Sequence, residues 1–210
     1  MADLQIDWLV TDGVSVFQHA RALGFDLSKY EKQKPEVQAA VKKATIDSIV
    51  DDVCYTWREA GRDSDYYAVS RGVYVISISD GFGIKYGRGA SEVLYIGRGT
   101  FSKRIRSHLQ NWIFDMSLSL KDVQFKFYMD EIGDGRSPES FKDFEGHLLD
   151  SFHEKFGEKP LINKIAGRQD RRTHVYSGNW SKPLDNRGKN YMWELRPSEK
   201  NSWFKQLEDE

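Results

Sequence analysis

Residues 72–79 read GVYVISIS and residues 92–97 read EVLYIG. Both runs are dense in β-branched and aromatic side chains, and each runs into turn-forming sequence, DGFG at 80–83 and RG at 98–99. Two strands are therefore expected, joined by an enlarged hairpin that carries Phe82, Lys85, Tyr86 and Arg88. After the second strand, RGTFSKRIRSHLQNWI places Phe101, Ile105, Leu109, Trp112 and Ile113 at helical spacing. Arg104 and His108 stand four apart on that helix and so share a face. DVQFKFYM at 122–129 alternates Val123, Phe125, Phe127 and Met129 with polar or amphipathic neighbours, which predicts a third strand.

A punctuated helix follows. Ser137 suits the N-cap, Pro138 the first turn, Glu139 the positive helix end and Gly157 the stop. Its apolar stripe is Phe141, Phe144, Leu148, Phe152 and Phe156, and Glu145 lies beside it. A carboxylate bordering an apolar stripe must find water, a partner or a metal ion. KPLIN at 159–163 closes this part of the chain with an extended piece ending on Asn163.

Outward from this block the sequence changes character. Residues 1–70 are expected to be helical, because Val37, Ala40, Val41, Ala44, Ile49, Val53 and Trp57 recur at three- and four-residue steps up to Gly61. Residues 166–210 hold the basic tract GRQDRR and several aromatics without a clear period, so an irregular extension is expected there.

Of 210 residues, 39% are hydrophobic and 30% charged, the balance of a globular rather than a disordered or membrane chain. No run approaches the ~20 apolar residues of a membrane helix, and MADLQIDWLV lacks the basic lead of a secretory signal. Cys54 is the single cysteine, which excludes an internal disulfide and a cysteine-built zinc site and suits a reducing cytoplasm. The net charge of −1 hides an asymmetry. Residues 1–70 carry 8 Lys and Arg against 12 Asp and Glu, whereas residues 85–110 carry six basic side chains and one acid. Residues 164–189 carry seven basics and two acids. A polyanion would be held in those two tracts, and solvated loop charge is the alternative explanation.

Taken in order, these residues resemble the GIY-YIG nuclease family. Gly72-Val73-Tyr74 stands where GIY is expected, and Tyr95-Ile96-Gly97 is a literal YIG. Arg104 follows within a helix, His108 one turn on as in the homing and restriction members, Glu145 on the next helix, and Asn163 after the Lys159-Pro160 turn. The hairpin between the two tyrosines is longer than in compact members, and Arg98 occupies a place where many members carry lysine.

The resemblance implies an α+β fold, a three-stranded antiparallel sheet flanked by helices over 71–165. The N-terminal helical extension at 1–70 and the irregular C-terminal extension at 166–210 are left with target choice, homodimer contacts or partner docking. It implies a metal-dependent endonuclease cutting double-stranded DNA in a restriction or phage-defence role. The alternatives are a repair, mobile-element or RNA-directed nuclease, and an idle nuclease-like binding module. Glu145 is implied as the protein ligand of Mg²⁺ or Mn²⁺, Tyr74 as the acceptor or orienter of the attacking water, and Arg104 as the phosphate clamp. Tyr95 and His108 would assist at the phosphate or at Tyr74, and Asn163 would tie the site's backbone together. Lys85, Arg88, Arg98, Lys103, Arg106, Lys164, Arg168, Arg171 and Arg172 are the expected nucleic-acid contacts.

Overall fold

The computed structural model describes residues 3–62, 64–79, 81–120, 123–133, 137–164, 167, 171–185 and 191–196. The chain begins with three short strands, β1 (Asp3–Ile6), β2 (Leu9–Val10) and β3 (Val14–Ser15), before helices α1 (Val16–Ala22) and α2 (Pro35–Glu59). Strand β4 (Gly72–Ile78) leads into a hairpin of β5 (Phe82–Tyr86) and β6 (Gly89–Ser91), and β7 (Val93–Arg98) follows. Helix α3 (Phe101–His108) continues through a π-helical turn, Leu109–Ile113, into α4 (Phe114–Ser119). Strand β8 (Gln124–Glu131) and helix α5 (Ser140–Phe156) come next, then β9 (Val175–Gly178) and β10 (Trp193–Leu195).

The fold is α+β, and β4 is the middle of its main sheet, antiparallel to β7 on one side and to β8 on the other. All seven residues of β4 are buried, as an apolar run without polar alternation requires. Residues 3–15 depart from the helical expectation: β2 and β3 pair with β8, and β1 pairs in parallel with β9. The N-terminal stretch thus widens the central sheet, and Trp8 packs against Phe144 of α5. The C-terminal stretch is likewise not wholly irregular, because β9 meets β1 and β10 pairs in parallel with β5 of the hairpin.

Alternation along β4 and β7 sorts the helices. Tyr74 pairs across from Gly97, and Tyr95 across from Ile76, so Tyr74 and Tyr95 share a face. Phe101 of α3 lies on that face, close enough that a Cβ on Gly72 would sit 2.1 Å from its ring. Only glycine leaves room for α3 to seat there. Arg98, one residue beyond Gly97, turns the other way and meets Glu145 of α5. The space between α3 and α5 therefore opens along β7, the outer strand of the sheet.

Candidate active site

Along that edge lies a pocket of about 500 Å³, lined in part by Tyr95, Arg98, Arg104, His108, Trp112 and Glu145. Four expected residues meet in one hydrogen-bonded cluster beside it. Arg104 donates from Nε to the Tyr74 hydroxyl at 3.1 Å and from Nη2 to the Tyr95 hydroxyl at 3.1 Å. His108 Nε2 lies 2.9 Å from the same Tyr74 oxygen. The two tyrosine rings stack with centroids 5.9 Å apart, and His108 lies 4.4 Å from Tyr95, centroid to centroid. A Cβ on Gly97 would fall 2.3 Å from the Tyr95 ring and 2.8 Å from the Tyr74 hydroxyl, so the glycine of YIG is the floor on which both tyrosines rest.

Burial sets the electrostatics. It pushes the Tyr74 hydroxyl well above the ordinary tyrosine range, with the neighbouring Tyr95 adding to the rise and the Arg104 guanidinium opposing it. His108 is pulled down to about 4 by burial and then by the positive charge of Arg104, so its ring is neutral near pH 7. Glu145 is raised by burial, while Arg98 and Arg104 hold it in the other direction.

Glu145 lies with its side chain 14% exposed, and Arg98 Nη1 is 3.4 Å from Oε2. A carboxylate with one loosely placed cation, hydroxyl oxygens nearby and room for retained water is a donor set suited to a hard divalent ion. The described residues hold no cluster of three or more His, Cys, Asp or Glu side chains able to chelate an ion. Glu145 is the carboxylate among the residues that line this pocket, so it is the side chain that would hold such an ion.

Asn163 stands outside the cluster and does structural work. Its Oδ1 accepts from the Ile96 N–H at 2.9 Å, and its Nδ2 donates to the Ile96 carbonyl at 2.7 Å. With Ile162 N–H donating to the Leu94 carbonyl at 3.0 Å, residues 162–163 satisfy the open edge of β7 beside the pocket.

The expected nucleic-acid contacts divide. Arg98 and Lys164 line the pocket, and Lys103 is exposed on α3. Lys85 is half-buried on β5, and Arg88 is exposed with its guanidinium on the Glu154 carbonyl. Arg106 pairs with Asp47 of α2 and lies away from the pocket, because two helix positions beyond Arg104 is more than half a turn round. Arg171 pairs with Asp150, is 13% exposed and packs over Gly146, so it braces α5. Arg172 is exposed, and Arg168 lies outside the described residues.

Helix boundaries also shift. Ser137 caps a turn, accepting from the Glu139 N–H, and α5 proper starts at Ser140. Trp112 falls in the apolar stripe by its spacing, yet it is only half-buried and borders the pocket, with its indole on His108. The four-residue step from His108 to Trp112 was the available signal.

Comparison with known family models, curated proteins and solved structures gives no match to this chain.

Proposed function

We propose that the chain is a GIY-YIG-type endonuclease that hydrolyses phosphodiester bonds, with duplex DNA as its substrate and restriction or phage defence as its role. The observation that carries this reading is the convergence of Tyr74, Tyr95, Arg104 and His108 from two strands and a helix onto one cluster, with Glu145 facing the same pocket from a second helix. The antiparallel pairing of β4 with β7 and β8, within a sheet widened to five strands by β2 and β3, supports this reading.

In this reading Arg104 does two things. Two of its N–H donors hold the tyrosines, and the others are left for phosphate oxygens, to which a planar guanidinium is matched. Tyr74 orients the attacking water and, as phenolate, takes its proton while the water oxygen bonds to phosphorus and the leaving P–O bond breaks. Burial keeps Tyr74 protonated in the free protein, so its ionisation waits for added positive charge at the site. A Mg²⁺ or Mn²⁺ ion held by Glu145 would supply Lewis-acid stabilisation of the charge on the leaving oxygen. Lys164 and Arg98 extend the positive rim along the backbone of the substrate.

The test is incubation of the purified chain with Mg²⁺ and, in parallel, plasmid, single-stranded DNA and RNA. Nicking of the plasmid that stops with chelator and in Glu145→Gln is expected, with binding retained in that variant. Absence of cleavage of all three substrates with either Mg²⁺ or Mn²⁺ refutes the reading. A second reading, an idle binding module, has one observation on its side: Arg98 stands on Glu145, where an ion would be held. Binding without metal-dependent cleavage would establish it.

A further inference from the structure

Trp112 sits on the π-helical turn that interrupts α3 and α4. Such turns are uncommon and occur often at functional sites. Its indole Nε1–H donates to Nδ1 of His108 at 2.9 Å, with the two rings nearly edge to face, 5.8 Å apart. An indole nitrogen donates and never accepts. Nδ1 must therefore present a lone pair, and the proton of the neutral imidazole resides on Nε2. That nitrogen is 2.9 Å from the Tyr74 oxygen. The direction of the hydrogen bond at Tyr74 is thus fixed by a side chain two contacts away.

We propose that Trp112 is a positioning residue that locks His108 as the Nε2–H tautomer, making His108 a hydrogen-bond donor to the Tyr74 oxygen and excluding it as the base that takes the Tyr74 proton. The Tyr74 oxygen then accepts from two donors, His108 Nε2–H and Arg104 Nε–H. Both interactions strengthen as negative charge grows on that oxygen. The catalytic consequence rests on the nuclease reading; the tautomer does not.

The groups facing the imidazole are Tyr74 from β4, Tyr95 from β7, and Arg104 and Trp112 from its own helix. Arg104 is the charged one among them, and it opposes a second positive charge. Trp112 acts in the same sense, because a proton on Nδ1 would set two N–H groups head to head.

The experiment uses the full chain, ¹⁵N-labelled at histidine and tryptophan, at neutral pH without nucleic acid or metal. The His108 resonances are assigned by their loss in His108→Gln. The expected spectrum has an unprotonated Nδ1, a protonated Nε2, and a scalar coupling across the N–H···N bond from Trp112 Nε1 to His108 Nδ1. A protonated Nδ1 overturns the proposal.

Trp112→Phe keeps an aromatic ring and deletes the donor. In it the coupling should vanish, the Nδ1–H form should appear, and the His108 titration should move up by about one pH unit. An unmoved titration with an unchanged tautomer overturns the role given to Trp112. In the plasmid assay the same variant should lose about tenfold in kcat with KM unchanged. An unchanged kcat would remove the positioning role. Should the wild-type chain cleave nothing, the nuclease reading falls while the spectroscopic result stands.

Discussion

Two histidine–tyrosine clusters flank helix α5, and they differ in what they leave open. On one side Tyr95, Arg104 and His108 border a pocket of about 500 Å³ with the buried Tyr74 behind them, and Glu145 lines the same pocket with the Arg98 guanidinium at 3.4 Å. On the other, His174 Nε2 and the Asp143 carboxylate lie 3.0 Å apart with side chains 0% and 2% exposed, and His147 bonds to the Tyr176 hydroxyl. The residue types are nearly the same. The first cluster leaves donors facing a space that a ligand can enter; the second fastens the C-terminal strand β9 onto α5. What a side chain has left over, and whether solvent reaches it, separates a site from a fastening.

The largest effect that would sharpen this contrast is on chemistry. Glu145→Gln should lower metal-dependent cleavage at least about a thousandfold, roughly 4 kcal/mol of barrier, with the melting temperature little changed. The mirror experiment is His174→Ala, which removes the imidazole that lies 3.0 Å from the buried Asp143 carboxylate. It should cost about 3 kcal/mol in chemical denaturation and leave cleavage per folded molecule intact. A His174→Ala protein that is fully stable but inactive would invert the assignment of the two clusters.

Acid should also divide them. The folded pKa of His108 lies at about 4, below its ordinary 6.5, so between these values the unfolded chain binds the more protons. The corresponding stability is complete above pH 6.5 and is lost as pH falls toward 4. Comparing denaturation of the wild type and His108→Gln across that window should show a steeper decline in the wild type. Gly97→Ala comes next, since its Cβ has no space beneath Tyr74 and Tyr95. A loss of about 2 kcal/mol in stability is expected, with a larger proportional loss of cleavage than of fold. Least in size, Lys164→Ala should flatten the salt dependence of DNA binding by about one unit of log–log slope.

Much of the core was legible from the chain. Strands β4, β7 and β8 announce themselves by β-branched density and alternation, and α5 by five phenylalanine and leucine positions in helical register. Tyr74, Tyr95, Arg104 and His108 converge because strand alternation and a four-residue helix step are local properties. What could not be read was non-local or too short. Leu9–Val10 is too brief for any periodic pattern, and β1 finds its partner in β9, nearly the whole chain away. Arg106 and Arg171 looked like free positive charge because their partners, Asp47 and Asp150, belong to other elements. Trp112 was hidden by its apolar type, which a helix stripe and a hydrogen-bond donor share.

The parallel pairing of Asp3–Ile6 with Val175–Gly178 carries a consequence for how the molecule assembles. Closing a loop of that span costs more chain entropy than any hairpin in the protein, so this zipper should form late, after the central strands have docked. Because β9 adjoins His174 and contains Tyr176, deleting the first six residues should unseat the seal over α5 first, seen as hydrogen exchange rising there before it rises in β4.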